Sequence, residues 1–271
     1  MKTAINCAKI INSNGEILEK GSILFDETGI LALSEASSFV GDETIDGTGK
    51  TVLPGFIDCH VHLNFPPYPW TDETRTNQDP ITVGIRVCNQ AQSLLKSGIT
   101  TARVAGTMYG ADLQLRKLVQ SGEVKAPRIK ASGQVICITA GHCHELGIAS
   151  DTVDQAITAA RTLISKKVDF LKMMATGGVI GIGPIGSGQL SPEQIAPVIA
   201  EGKRFGVPTF AHLSLDYPCL IAAIRAGITS VEHGNNIDEA AAELMVEMGT
   251  WYVPTMGVKY NEANNTLPDP T

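Results

Sequence analysis

The spacing of apolar residues along the chain changes near residue 52. Before that point, the segments 4–11, 21–25 and 29–33 alternate apolar and polar residues, and glycine, asparagine and aspartate separate them. Alternation with a period of two between turn residues is typical of β-hairpins. We therefore predict a small all-β region over residues 1–52, which ends in the turn cluster 46–49.

Beyond residue 52, short apolar strands alternate with segments of helical periodicity. Gly98, Gly206, Gly227 and Gly249 each follow a predicted helix, where the left-handed C-cap conformation favours glycine. The predicted strands lie near 53–58, 99–104, 129–136, 169–175, 207–211, 229–232 and 251–255. The predicted helices lie near 81–96, 111–121, 152–166, 192–205, 217–226 and 238–248.

This strict alternation indicates an α/β fold. The number of strands favours a (β/α)8 TIM-type barrel that lacks its last strand and helices. A doubly wound open sheet stays the alternative, because alternation alone does not distinguish the two. The predicted domains are residues 1–52 and residues 53–271, and the polar, proline-containing stretch 261–271 is predicted to be a loop.

Charge and composition limit the classes of partner and the cellular compartment that we expect. The net charge is −7 with no long run of one sign, which argues against nucleic acid or an anionic membrane surface as a partner. No apolar run reaches the length of about 18 residues that a transmembrane helix needs. The six cysteines form no CxxC pair, which is typical of buried thiols in a reducing compartment. We expect a cytoplasmic protein with a small-molecule substrate, and a homo-oligomer is compatible with the sequence.

The histidines fall at a special place in the predicted fold. All six lie at or just beyond the carboxyl end of a predicted strand. In a β/α barrel these strand ends share one face, where active sites form. A single histidine at such a place is more often a core residue, but that explanation does not suit the whole set. The six are His60, His62, His142, His144, His212 and His233.

Two features of the sequence suggest a metal site. His60 and His62 lie two residues apart on a strand, so both imidazoles face the same side and can reach one ion such as zinc. Lys172 lies within an apolar strand, where a buried ammonium is costly. A neutral lysine amine can react with CO2 to give a carbamate, whose two oxygens can bridge two cations. The alternatives are a polar strand end for the histidines and a lysine that reaches solvent.

The other candidates are assigned to substrate or to structure. His142 and His144 are predicted to line the substrate side of the pocket; a separate zinc site with Cys137 and Cys143 is the less favoured alternative. Glu232 alternates with His233 along its strand, so we expect it to face away from the site in a structural role.

The glycine-rich stretch 177–188 contains a GxGxxG pattern at residues 181–186. A dinucleotide-binding motif needs a helix that starts directly from the glycines, and Pro184 interrupts the run here. We therefore predict a flexible loop over the pocket. Ser187 lacks a nucleophile-elbow context, which argues against a serine hydrolase.

The segment 49–62 reads GKTVLPGFIDCHVH. It resembles the start of the barrel in the amidohydrolase superfamily, and further matches at Lys172, His212 and His233 extend the resemblance over essentially the whole chain. The segments around Lys172 and 141–144 look most like the Xaa-Pro dipeptidases and the imidazolonepropionase-related hydrolases. Residues 1–52 resemble the N-terminal part of the small β-sandwich of these enzymes.

The resemblance implies a binuclear metal site and hydrolysis of an amide C–N bond in a dipeptide or cyclic amide. His60 and His62 would bind one divalent ion, His212 and His233 the other, and carboxylated Lys172 would bridge both. Zinc is the expected metal, and a hydroxide between the ions would attack the substrate carbonyl.

Other functions remain open at this stage. The family's last ligand, an aspartate after strand eight, has no counterpart before residue 271, so a truncated, inactive fragment is one alternative. Phosphotriesterase or lactonase activity at the same site is another. A mononuclear deaminase is disfavoured because position 215 is Leu215 rather than glutamate, and because Lys172 is present.

Overall fold

A computed structural model describes residues 1–65 and 78–257 of the chain. The chain divides into two compact units, Met1–Phe56 and Ile57–Thr271. This division falls shortly after the boundary that the sequence predicts between residues 52 and 53. The predicted loop at 261–271 lies outside the described residues.

The first unit contains one five-stranded sheet. Strand β1 lies inside the sheet: it pairs antiparallel with β2 and parallel with both β4 and β5. Ala8, Ile10 and Ile23 form a small core on this sheet. The sandwich that the resemblance implies stays a prediction. The strands are β1 (Thr3–Ile11), β2 (Ile17–Asp26), β3 (Gly29–Ser34), β4 (Glu43–Asp46) and β5 (Thr51–Val52).

The second unit is α/β, as predicted. One sheet has the order β6-β7-β8 and the other the order β10-β9-β11-β12-β13-β14, in which every pair is parallel. The predicted strand at 129–136 is in fact two strands, β8 and β9, which lie in different sheets. The eight-stranded barrel short of one strand stays a prediction. The strands are β6 (Phe56–Val61), β7 (Ile99–Val104), β8 (Arg128–Ala131), β9 (Val135–Cys137), β10 (Gly147–Ala149), β11 (Leu171–Met174), β12 (Thr209–Leu213), β13 (Ser230–His233) and β14 (Trp251–Val253).

The helices lie within a few residues of their predicted positions. Gly206, Gly227 and Gly249 end three of them in the left-handed conformation, as expected from their place in the sequence. Among the described residues, no helix combines the length and the apolarity that crossing a membrane requires. The α-helices are α1 (Pro80–Lys96), α2 (Ala111–Gln120), α3 (Val153–Ser165), α4 (Pro192–Phe205), α5 (Tyr217–Ala226) and α6 (Glu239–Met248), and 3-10 turns span Met108–Gly110 and His144–Leu146.

Candidate metal centre

The register of three neighbouring strands determines which candidate functional side chains of the second unit share a face of the sheet. Met174 of β11 pairs with His212 of β12, and His212 pairs with Glu232 of β13. Residues paired across parallel strands point to the same face of a sheet. Two residues earlier along the same strands, and therefore on the same face, Lys172 pairs with Phe210, which pairs with Ser230. Lys172, His212 and Glu232 therefore face the same side.

Five of the six histidines form a continuous series of ring contacts. The ring centroids of His62 and His60 are 5.4 Å apart, and those of His60 and His233 are 4.9 Å apart. His212 lies 4.4 Å from His233 and 4.3 Å from His142 by the same measure. The structure thus brings together the histidines that the sequence predicts for the metals and one that it predicts for the substrate.

His144 lies apart from this series in the described part of the chain. Its side chain is 46% exposed, and its Nδ1 lies 3.7 Å from a carboxylate oxygen of Glu145. His144 belongs to a 3-10 turn, whereas His142 is buried. The substrate contact predicted for His144 stays a prediction.

The Nδ1 atoms of four histidines each contact an oxygen atom. The partners of His60 and His62 are Glu232 Oε2 at 2.6 Å and the Gly106 carbonyl oxygen at 3.3 Å. Those of His142 and His233 are the Ile180 carbonyl oxygen and Thr255 Oγ1, both at 2.7 Å. Carbonyl and carboxylate oxygens accept here, and the Thr255 hydroxyl donates to the Pro254 carbonyl, so Nδ1 carries the proton in each contact. A neutral ring then has its lone pair on Nε2.

Burial keeps the imidazoles of His60, His62, His212 and His233 neutral. It lowers the pKa of His62 to about 3 and that of His233 to about 2, and the nearby Lys172 adds to both shifts. The pKa of His60 is well below its ordinary value for the same two reasons, although its Nδ1 faces a carboxylate. Burial, followed by His142, does the same to the pKa of His212. Neutral imidazole is the form that ligates metals.

Lys172 lies near this series of rings. Its side chain is fully buried, and its Nζ has no hydrogen-bond partner among the described residues. The Nζ lies 5.0 Å from the centroid of the Phe210 ring. Burial lowers the pKa of the amine to about 8; Glu232 opposes the shift and Arg103 adds to it. A substantial neutral fraction near physiological pH follows.

Glu232 does not face away from the histidines, so that prediction was wrong. Because Glu232 is in register with His212, it lies on the inner face, and its side chain is fully buried. His233 reaches the same region because its backbone is left-handed, with φ 70°. Besides His60, the carboxylate accepts hydrogen bonds from Arg103 Nη2 and Ser230 Oγ, both at 2.7 Å.

The glycine-rich loop is hydrogen-bonded to the segment around His142. The backbone NH of Cys143 donates to the Ile180 carbonyl at 3.2 Å, and that of Ile182 donates to the Ala140 carbonyl at 3.0 Å. The backbone NH of His142 donates to Gln189 Oε1 at 2.9 Å. The loop therefore fixes one ring nitrogen of His142 and covers the ring. Sequence reasoning did not identify Gln189, because an amide after a glycine run carries no distinctive pattern.

A family model gives the decisive comparison: the model of the amidohydrolase family matches residues 51–268. The chain belongs to the amidohydrolase family. The resemblance seen in segment 49–62 is thereby confirmed.

Three known proteins illustrate what this chain is similar to. Ochratoxinase from Aspergillus niger is 25% identical over 288 residues, which cover 94% of this chain and 59% of the relative. Imidazolonepropionase from Mesorhizobium japonicum is 28% identical over 270 residues, which cover 86% of this chain and 63% of the relative. A crystal structure of a Xaa-Pro dipeptidase with methionine bound in the active site is 26% identical in sequence and has a TM-score of 0.85. The match covers 100% of this chain and 72% of the dipeptidase chain. The chain thus spans less than two thirds of the length of these two curated relatives.

The family implies divalent metals, and two buried atoms of this chain fit such ions. Among the described residues, Lys172 Nζ and His212 Nε2 have no hydrogen-bond partner, a costly state that a metal and a modified lysine would relieve. Within residues 1–65 and 78–257, no group of three or more His, Cys, Asp or Glu side chains is arranged to hold an ion.

Proposed function

We propose that this chain forms the metal-binding part of a hydrolase that cleaves the amide C–N bond of a small peptide or cyclic amide. One observation carries the proposal: the amine of fully buried Lys172, which has no hydrogen-bond partner within residues 1–65 and 78–257, lies near the imidazoles of His60, His62 and His233. A core lysine with no acceptor destabilises the fold. Its place among potential metal ligands gives that cost a functional reason.

Two divalent ions, with zinc first by ligand type, would be held by five residues. His60 and His62 would hold one ion through Nε2, because their Nδ1 atoms are bonded elsewhere. His212 and His233 would hold the second. Lys172, carboxylated on Nζ, would bridge the pair, and carboxylation requires the neutral amine that burial favours.

Bound divalent ions supply a nucleophilic hydroxide at neutral pH and polarise the scissile carbonyl. The protein's part is to hold the ions and to orient the histidines that bind them. Gly106, Glu232 and Thr255 accept from Nδ1 of His62, His60 and His233, respectively, and so keep the proton of these three rings on Nδ1. We propose that His142, which is buried beside His212 and hydrogen-bonded to the glycine-rich loop, contacts the substrate.

The proposed substrate class follows the relatives. The similar Xaa-Pro dipeptidase structure holds methionine in its active site, and ochratoxinase and imidazolonepropionase are similar in sequence. We therefore propose dipeptides first and cyclic amides second. We also propose a cytoplasmic location, which fits six cysteines that are all free.

The test is the metal content of the purified chain by inductively coupled plasma mass spectrometry, with Lys172→Met and Lys130→Met alongside. Lys130 is a matched control, since its side chain is 50% exposed. We expect about two ions per chain in the parent and in Lys130→Met, and a large loss in Lys172→Met. Absence of metal from the parent overturns the proposal. Hydrolysis of lactones or phosphotriesters in place of dipeptides and cyclic amides would overturn the substrate class alone.

A further inference from the structure

We propose that Glu232 is a positioning residue that holds His60 in the tautomer with its proton on Nδ1, so that the Nε2 lone pair is available to a metal. The inference rests on the proposed metal site, and it adds a residue to that site which does not touch the ion. It concerns a contact between residues 172 positions apart in the chain.

The two oxygens of the Glu232 carboxylate have separate partners. Oε2 lies 2.6 Å from His60 Nδ1, whereas Oε1 accepts from Arg103 Nη2 and Ser230 Oγ, each at 2.7 Å. Because Oε1 accepts from both Arg103 and Ser230, we assign the acceptor role to Oε2 as well, which puts the proton of the Glu232–His60 contact on the imidazole. Glu232 thus selects the tautomer of His60.

Arg103 fixes the plane of that carboxylate. Its guanidinium lies 4.4 Å from the centroid of the Phe210 ring and donates to Ser230 Oγ at 3.0 Å and to the Cys59 carbonyl oxygen. The Cys59 contact ties Arg103 to the strand that carries His60. With Oε1 occupied and the plane held, Oε2 has one orientation, toward the imidazole.

If Glu232 only formed an ion pair with Arg103, Glu232→Gln would leave the tautomer of His60 unchanged. In this variant, the amide oxygen must face Arg103, because a guanidinium has five donors and no acceptor. The amide NH2 then faces His60 Nδ1, which has to accept, and the imidazole proton moves to Nε2. The substitution therefore reverses the tautomer of His60 while the volume of the side chain stays nearly the same.

The experiment compares the parent, Glu232→Gln and Glu201→Gln. Glu201 is a matched control because Arg161 binds both its oxygens at 2.9 Å, on helices α3 and α4. Nitrogen-15 NMR of the metal-free chains, with the His60 signals assigned through His60→Gln, reports which ring nitrogen carries the proton. Competition with a chelator gives the zinc affinity of each chain.

We expect the His60 proton on Nδ1 in the parent and in Glu201→Gln, and on Nε2 in Glu232→Gln. Zinc should bind Glu232→Gln about 10- to 100-fold more weakly than the parent. An unprotonated Nδ1 in the parent overturns the inference even if Glu232→Gln fails to fold. So does a Glu232→Gln chain with the parent tautomer or the parent zinc affinity. If the parent binds no zinc, the proposed function fails, while the tautomer comparison still decides the role of Glu232.

Discussion

His233 and Thr255 are joined by a hydrogen bond from the imidazole Nδ1 to the hydroxyl oxygen at 2.7 Å. The threonine hydroxyl donates to the Pro254 carbonyl oxygen at 2.8 Å, so its oxygen is oriented to accept from His233. His233 also has a left-handed backbone, with φ 70°, which is strained for a residue with a side chain. Thr255 therefore helps to hold a strained histidine in the orientation that the proposed site needs.

Replacement of Thr255 by valine should weaken metal binding. Valine keeps the shape of the side chain but removes the acceptor, so His233 Nδ1 loses its partner. We expect zinc affinity, measured by chelator competition, to fall about tenfold or more. Thr250→Val is the control, because Thr250 donates to the Ile228 carbonyl, and we expect its zinc affinity to equal that of the parent. Equal affinities in both variants would contradict the prediction.

Lys172→Met should stabilise the metal-free chain while it abolishes metal binding. The substitution replaces a fully buried amine without an acceptor by an apolar side chain of similar length. We expect the free energy of unfolding in urea to rise by about 1–2 kcal/mol. Lys130→Met at the surface should change it by less than about 0.5 kcal/mol. A less stable Lys172→Met chain would show that the amine has a stabilising partner.

The metal-free chain should lose stability as the pH falls below about 6.5. The pKa values of His62 and His233 are lowered to about 3 and about 2, so the unfolded chain binds protons more readily than the folded one in this range. Each such imidazole should cost about 1 kcal/mol at pH 5.5 relative to pH 7.5. Asp112 acts in the opposite direction, because burial raises its pKa to about 6. This one carboxyl group opposes two imidazoles, so the stability should still fall.

Urea unfolding at several pH values checks this prediction. The midpoint should fall from pH 7.5 to pH 5.5, and His62→Gln should show a shallower fall because one buried imidazole is removed. A midpoint that stays constant or rises over this range would mean that the histidines titrate normally in the folded chain.

Gly178→Ala should impair catalysis without loss of metal. A Cβ at residue 178 would lie 2.5 Å from His142 Cε1, so either the ring or the loop has to move. We expect kcat/KM for a hydrolysed dipeptide to fall about 10- to 100-fold with unchanged zinc content. Gly84→Ala is the control, since nothing lies within 4 Å of its added Cβ. A variant with the activity of the parent would show that the position of His142 does not matter for substrate.

The local pattern of the sequence was enough for the α-helices and for the place of the histidines. Periodicity predicted the six α-helices of the second unit, and capping glycines such as Gly206 marked their ends. The spacing of His60 and His62 indicated that both rings share one side, and their ring centroids lie 5.4 Å apart. These features depend on residues a few positions apart, whose geometry the backbone repeat determines.

The orientation of Glu232 and the hydrogen bonds of the histidines were decided only by the tertiary structure. Alternation along β13 shows that Glu232 and His233 start on opposite faces, but not which face is inner. That choice depends on the register with β12, where Glu232 pairs with His212, and on the left-handed turn at His233. The acceptors of Nδ1 come from strands and loops far along the chain, so no local repeat relates them to the histidines they hold.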